Sequence, residues 1–269
     1  MKNKIYDCVT FFNENLQVKL RFNILDKYVD KFVVCESKFD HKGNPKKLNF
    51  KIEEFNEFKH KIIYLVLESK FPDISSPWKT QAYQREFLLN NLKEANPEDY
   101  IFFSDPDEIP KPEILINFEL KKKYGIFLQD CFNYKFNLFN PLESPWEGTR
   151  VAKRKNIKSI DFMRQKVRLK NLKYNFYRFD KERSIQIFEK AGWHFNNIMS
   201  AEEISQKLKT FAHTEFAKEE FSSPKIIESK INKKIDLFNR GHQYKVVDMD
   251  KSFPEFLLKN YNTYKDFIL

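Results

Sequence analysis

Apolar runs of strand length alternate with amphipathic segments through the first 110 residues, and this alternation restricts the possible folds more than any other feature. Strands are predicted at four runs: IYDCVTFF (5–12), KFVVCES (31–37), HKIIYLVLE (60–68) and YIFFSDPDE (100–108). After the first run, four apolar residues recur at four-residue intervals on one face of a predicted helix: Leu16, Leu20, Ile24 and Tyr28. A second helix is predicted at 76–95, before Asn96 and Pro97. The pattern predicts an α/β fold with a mainly parallel central sheet.

The charge balance indicates what kind of partner the chain could bind. Forty-eight Lys and Arg against 38 Asp and Glu give the 269 residues a formal net charge of +10. This suits nucleotides, nucleic acid or an acidic membrane surface, although charges spread along the chain are also typical of a solvated, lysine-rich surface. The sequence has no helix-turn-helix, ribonucleoprotein or zinc-ligand pattern, so we expect no nucleic-acid partner.

The cysteines and the lengths of the apolar runs bear on the compartment. Cys8, Cys35 and Cys131 each lie in an apolar, strand-like run without metal-ligand spacing, which predicts buried free thiols in a reducing environment. No run approaches the roughly 18 apolar residues that span a bilayer, and the N-terminal residues do not form a signal-peptide core. We therefore expect a cytoplasmic protein.

Polar side chains follow three of the predicted strands at the point where each strand ends. They are Asn13 and Glu14, then Glu36 and Ser37, then the acids of the stretch SDPDE. Because ligands of such sheets bind at the carboxyl ends of the strands, these three clusters predict a binding crevice along one edge.

The stretch SDPDE contains two aspartates, Asp105 and Asp107, one residue apart. Carboxylates in this D-x-D spacing can bind one Mg²⁺ or Mn²⁺ ion and leave coordination positions open for phosphate oxygens. Pro106 restricts the backbone between them. An isolated D-x-D can also be a solvated acidic turn, but here it follows an apolar strand and is aligned with the other polar clusters.

Several stretches together resemble glycosyltransferase family 17, whose members include N-acetylglucosaminyltransferases that act on glycoproteins. The stretches occur in the family's order: YDCVTFFNE, FVVCESKFDHKGNPKKLNF, QREFLLNNL, DYIFFSDPDEIPKPE and GWHFNNIMSAEEISQKLKTFAHTEF. They lie within 4–222, which suggests a catalytic domain at 1–222 and a helical C-terminal extension at 223–269.

The resemblance implies a GT-A fold, a UDP-sugar donor (UDP-GlcNAc first of all), a divalent Mn²⁺ or Mg²⁺ ion and inversion at the anomeric carbon. The acceptor would be a glycan or a lipid-linked glycan. The nucleotide-sugar would be bound by five residues: Asn13, Glu14, Glu36, Arg85 and Asp105. Two other classes remain as alternatives, a non-catalytic module that binds sugar or nucleotide and a metal-dependent protein that processes nucleic acid.

Inversion needs a general base that takes the proton of the acceptor hydroxyl. Two carboxylates are candidates. Glu215 follows a helix that begins with a capping box at Ser200 and Glu203, and Asp130 is predicted to end an apolar strand and to face the acceptor. A structural role is the alternative for each.

Histidine and aromatic residues supply further candidates for the site. His194 or His213 could complete the metal shell, and Trp146 or Trp193 could stack on an acceptor sugar. Arg150 could serve the anionic donor. Burial in the core is the alternative for the histidines and tryptophans.

The C-terminal extension contains one clear helix signal. Ser223 is a predicted N-cap, Pro224 a first helical residue, and Ile227, Ile231 and Ile235 share one face. This amphipathic basic helix either packs on the catalytic domain or contacts an acidic membrane surface.

Overall fold

A computed structural model describes residues 3–175, 177–210 and 218–269. The strands are β1 (Ile5–Phe11), β2 (Lys31–Ser37), β3 (Ile62–Leu67), β4 (Tyr100–Ser104), β5 (Glu108–Pro110), β6 (Tyr124–Asn133), β7 (Leu138–Phe139), β8 (Trp146–Lys153), β9 (Ile185–Phe188), β10 (Gly192–Asn196) and β11 (Lys245–Val246). The α-helices are α1 (Asn15–Leu25), α2 (Pro77–Asn91), α3 (Pro112–Leu115), α4 (Ile160–Lys166), α5 (Ala201–Thr210), α6 (Glu219–Ser222), α7 (Pro224–Asn232), α8 (Glu255–Lys259) and α9 (Tyr261–Tyr264). The four predicted strands are β1 to β4, and the two predicted helices are α1 and α2.

The first half of the sheet is parallel and is built around β1. This strand pairs with β2 on one side and with β4 on the other, and β3 follows β2. Helices and loops cover both faces, which explains why these strands read as continuous apolar runs rather than as alternating ones. Their carboxyl ends lie along one edge, as the sequence predicts.

The second half of the sheet is mixed. β8 lies antiparallel between β4 and β6, while β9 and β10 each pair in parallel with β6. β5 pairs antiparallel with β10. The predicted α/β class is confirmed, but the continuous parallel arrangement ends at β4, because the antiparallel β8 separates the first four strands from the parallel pairs that β6 forms with β9 and β10.

The alternation of side chains along β1 divides the core into two apolar clusters. Ile5, Val9 and Phe11 belong to the cluster that packs under α1. Tyr6 and Cys8 point to the other face, where the second cluster packs under α2 and α4.

A third apolar cluster joins the C-terminal extension to the rest of the molecule. Ile227 and Ile231 of α7 are buried against Ile204 and Leu208 of α5. Helix α7 begins at Pro224 as predicted, and its apolar face is covered by protein rather than free for a membrane. Packing is continuous across the predicted domain boundary at residue 222.

The three cysteines are buried and free, as predicted. No α-helix within the described ranges is long and apolar enough to cross a bilayer.

Candidate functional site

A pocket of about 600 Å³ opens where β1 and β4 end. Its wall includes the end of β1, the D-x-D loop and the first turns of α2 on one side, and β10, α4 and the start of β8 on the other. The lining residues include Phe12, Glu14, His41, Trp78, Gln81, Arg85, Asp105, Asp107, Glu143, Trp146, Glu147, Arg164, Arg168, His194 and Lys207. The crevice that was expected at the carboxyl edge of the parallel strands is therefore present.

The first acid of the D-x-D, Asp105, is paired with two guanidinium groups. Arg164 donates to its Oδ2 at 2.7 Å, and an Nη atom of Arg85 lies 3.9 Å from its Oδ1. The side chain of Asp105 is 35% exposed. The protein itself therefore neutralises the charge of Asp105.

Glu108, the residue after the D-x-D, is fully buried and fixes the loop. Both of its carboxylate oxygens accept hydrogen bonds from Arg164, and Trp146 donates to Oε1 at 2.7 Å. The backbone N–H of Asp105 donates to Oε2 at 3.1 Å. These donors compensate the cost of burying the carboxyl group and hold the acidic loop in one conformation.

A second buried ion pair supports the loop from below. Arg21 of α1 donates to both carboxylate oxygens of Asp7 on β1, at 2.5 and 2.6 Å. It also donates to the backbone carbonyl of Glu108 at 2.7 Å and to Ser104 at 3.0 Å. The helix, the central strand and the D-x-D loop are thus tied together.

The second acid, Asp107, lies beside His194. The pairing of β10 with β5 places His194 opposite Glu108, and its Nε2 lies 3.6 Å from Oδ1 of Asp107. The imidazole stacks on Trp146 with 4.8 Å between ring centres. Burial alone would raise the pKa of Asp107, but its interactions with His194 and Lys207 and a backbone hydrogen bond together lower it.

The approach of β10 to β5 depends on Gly192. Its φ is +152°, and a Cβ at this position would lie 2.2 Å from the carbonyl oxygen of Ile109. Only glycine allows the two strands this close, so Gly192 helps to bring His194 to Asp107.

Asp107 and His194 fit a divalent cation by their donor chemistry. One carboxylate and one imidazole face the pocket side by side, a donor pair that suits Mn²⁺ and leaves coordination positions for phosphate oxygens. Among the described residues no group of three or more His, Cys, Asp or Glu is arranged to hold a metal by itself. A cation here would need oxygens from a ligand.

Basic side chains surround the two acids. Arg85, Arg164, Arg168 and Lys207 all line the pocket. Arg85 is 3% exposed and donates to Asp161 at 2.9 Å, while its buried Nε has no hydrogen-bond partner within the described part of the chain. Because Arg85 lines the pocket, its guanidinium lies where it could pair with an anionic ligand.

Residues 1–265 match the family model described as glycosyltransferase family 17. The chain belongs to glycosyltransferase family 17. This confirms the predicted family and, with it, the prediction of a glycosyltransferase.

The curated relatives of this family 17 chain cover only part of it. The beta-1,4-mannosyl-glycoprotein 4-beta-N-acetylglucosaminyltransferases of Rattus norvegicus and Homo sapiens are each 31% identical over 116 residues, 40% of this chain. The chain spans 22% of the length of these relatives.

Solved structures show weaker similarity. A structure of S. aureus TarS, residues 1–349, matches with a TM-score of 0.40 and 14% identity over 77% of this chain and 63% of that one. Glucosyl-3-phosphoglycerate synthase from Mycobacterium tuberculosis, in complex with Mn²⁺, UDP and glucosyl-3-phosphoglycerate, matches with a TM-score of 0.31 and 14% identity over 57% of each chain.

The structure brings together many of the residues that the sequence of this family 17 member suggested. Asp105, Asp107, Arg85, Glu14, His194 and Trp146 all line one pocket. Asn13 is exposed next to Glu14 and does not contribute to the wall. Glu215 and His213 lie outside the described residues.

Glu36 does not reach the pocket, contrary to its expected contact with the nucleoside. It is fully buried, and its carboxylate accepts hydrogen bonds from the backbone N–H groups of Asn49 and Phe50 and from the hydroxyl of Tyr64. Lys46 forms an ion pair with it. Glu36 therefore anchors the segment that follows β2.

Asp130, Trp193 and Arg150 also lie away from the pocket. Asp130 is an exposed residue within β6 rather than at its end, and strand alternation points it to the face opposite Cys131. Trp193 is buried and donates to the carbonyl of Ser252 at 3.0 Å. Arg150 is fully buried and donates to three backbone carbonyls. Strand phase and long-range packing, which the sequence alone does not specify, explain these differences.

Several pocket residues had no role in the sequence analysis. Arg164 and Lys207 belong to helices in which a basic residue is ordinary, so no local signal distinguishes them. Glu143 and Glu147 flank Trp146 in the stretch NPLESPWEG. Their position beside this tryptophan could have identified them as candidate site residues.

Proposed function

We propose that this chain transfers GlcNAc from UDP-GlcNAc to a hydroxyl of a glycan acceptor, with a divalent cation and with inversion at the anomeric carbon. The observation that carries the proposal is the pair Asp107 and His194, which lie 3.6 Å apart in a pocket that also contains Arg85, Arg164, Arg168 and Lys207. A metal-binding pair within a basic pocket is suited to a nucleoside diphosphate. The N-acetylglucosaminyltransferase names of the relatives support GlcNAc.

Departure of the diphosphate is the step that these residues would assist. Negative charge builds on the leaving oxygens as the anomeric bond breaks, and preorganised cations stabilise that charge. Asp107 and His194 would hold the cation, which supplies positive charge at the diphosphate when bound. Arg85, which lines the pocket, would contribute a fixed positive charge.

The pocket wall next to β1 suits the nucleoside. Phe12, Glu14, His41, Trp78 and Gln81 line it, which gives aromatic surface for a base and polar groups for a ribose. Glu36 acts here indirectly, through the segment that it anchors.

The opposite wall suits the acceptor. Trp146 is fixed by Glu108 and His194, and rigid indole rings bind the apolar faces of sugars. For the base we retain Glu215, because α5 carries Lys207 to the pocket and Glu215 follows that helix in the sequence. Asp130, the other candidate, is exposed and does not line this pocket.

Slow donor hydrolysis tests the proposal without knowledge of the acceptor. The full chain is incubated with a panel of sugar nucleotides, with and without Mn²⁺, and release of UDP is measured. We expect UDP-GlcNAc to be hydrolysed in preference and only with the metal, and the Asp107→Asn variant to be inactive. Binding of UDP without hydrolysis of any donor would favour the sugar-binding module. Metal-dependent cleavage of an oligonucleotide would favour the nucleic-acid alternative.

A further inference from the structure

His194 is in contact with a buried cysteine on the side of its ring away from Asp107. Its Nδ1 lies 3.6 Å from the sulfur of Cys131, while its Nε2 lies 3.6 Å from Asp107. The contact follows from the register of the sheet, because His194 on β10 pairs directly with Cys131 on β6. Each ring nitrogen therefore has its own neighbour.

The sulfur of Cys131 has two other polar neighbours. Oε2 of Glu143 lies 3.7 Å away, and Oδ1 of Asn133 lies 3.6 Å away. Glu143 is held in place by Arg240, which donates to Oε1 at 2.7 Å. Asn133 already accepts a hydrogen bond from Asn140 at 3.1 Å.

The proton count around the sulfur decides the direction of these contacts. A cysteine thiol has a single hydrogen to donate, and its sulfur is also a weak acceptor. The carboxylate of Glu143 is the strongest acceptor near that hydrogen. Once the S–H donates to Glu143, the sulfur can only accept from His194, and this requires a hydrogen on Nδ1.

We propose that Cys131 is a positioning residue that keeps the N–H of His194 on Nδ1 and so directs the lone pair of Nε2 into the pocket beside Asp107. The nitrogen of a histidine that binds metal is set by the hydrogen bond that the other nitrogen makes. Cys131 itself does not touch the ligand. This inference rests on the proposed function, in which Asp107 and His194 hold the cation.

The inference is tested by comparing the Mn²⁺ affinity of the wild type with that of matched variants. Binding of Mn²⁺ is measured by calorimetry in the presence of UDP, and binding of UDP is measured separately without metal. We expect Cys131→Ala to weaken Mn²⁺ binding roughly 10- to 100-fold, the usual effect of losing an outer-sphere partner of a metal-ligating histidine. Metal-free UDP binding should not change. Cys131→Ser, whose hydroxyl can both accept and donate, should recover part of the Mn²⁺ affinity.

Cys8→Ala is the matched control for packing, because Cys8 is equally buried, packs in the second apolar cluster, and its sulfur lies 3.8 Å from the carbonyl oxygen of Tyr6 on the same strand. It should bind Mn²⁺ like the wild type. Wild-type Mn²⁺ affinity in Cys131→Ala, together with a large loss in His194→Ala, would overturn the role of Cys131 and leave the metal site standing. Unchanged affinity in His194→Ala would instead overturn the metal site of the proposed function.

Discussion

The guanidinium of Arg164 lies 2.7 Å from the carboxylate of Asp105, so the two acids of the D-x-D have different surroundings. Asp105 faces arginines, whereas Asp107 faces a histidine. The motif is symmetric in sequence but not in the structure.

The two acids should therefore respond differently to neutral substitution. We expect Asp107→Asn to lose Mn²⁺-dependent UDP binding by more than the roughly 10- to 100-fold typical of outer-sphere changes, because it removes a ligand of the cation. Asp105→Asn should lower transfer but retain part of that binding, since Arg164 and Arg85 compete for its charge. Calorimetry with UDP and Mn²⁺ measures both. Equal loss in the two variants would contradict the asymmetry.

Removal of Arg164 should destabilise the whole domain. In Arg164→Met the buried carboxylate of Glu108 loses its ion-pair partner, and breaking a buried pair in this way costs about 3 to 5 kcal/mol. Urea unfolding followed by circular dichroism gives the change in free energy. The double variant with Glu108→Gln should recover part of it. Arg178→Met, which breaks an exposed ion pair, should leave the midpoint unchanged.

Two glycines with positive φ should differ in their tolerance of a methyl group. Gly192→Ala places a Cβ 2.2 Å from the carbonyl oxygen of Ile109, so we expect a loss of stability beyond the roughly 1 to 3 kcal/mol of backbone strain alone. Gly241, with a φ of +80°, has open space around it, and Gly241→Ala should show only the strain. Thermal unfolding of both variants checks this. Equal losses of stability would show that the close approach of β10 and β5 adds nothing to the cost of the methyl group.

The general base should act on transfer but not on donor binding. We expect Glu215→Gln to lower the transfer rate by about 10²- to 10⁴-fold and to bind UDP normally. Asp130→Asn should remain active, because Asp130 lies outside the pocket wall. Steady-state kinetics together with UDP calorimetry separates the two effects. A Glu215→Gln variant that transfers sugar at the wild-type rate would remove Glu215 from the mechanism.

The buried His41 should make the folded state less stable as the pH falls. Burial lowers its pKa to about 4, whereas an unfolded histidine titrates near 6.5. Between these values the unfolded chain binds more protons, so stability falls as the pH falls, by about 2 kcal/mol for this group between pH 7 and pH 5. His41→Gln should lose less stability over this range in urea titrations. An identical pH dependence in the variant would show that His41 can become charged in the folded state.

Periodicity and strand-end chemistry predict the first half of this molecule well. β2 occupies the predicted residues, and the D-x-D loop lies at the expected edge. The sequence could not reveal that Arg164 binds the acidic loop or that Cys131 contacts His194, because these contacts join residues far apart in the chain. It also misplaced Glu36 and Asp130. The direction of one side chain depends on strand phase and on tertiary partners rather than on residue type.

The position of β1 has a consequence for synthesis. Lys4 donates its backbone N–H to Asp99, 95 residues later, and Ile5 pairs with Tyr100, so one edge of the central strand stays open until β4 is made. At the usual speed of translation this interval lasts on the order of ten seconds. During that time the emerging chain exposes an apolar strand edge, which is a template for aggregation. We therefore expect a ribosome-associated chaperone to bind β1, which later becomes the middle of the sheet.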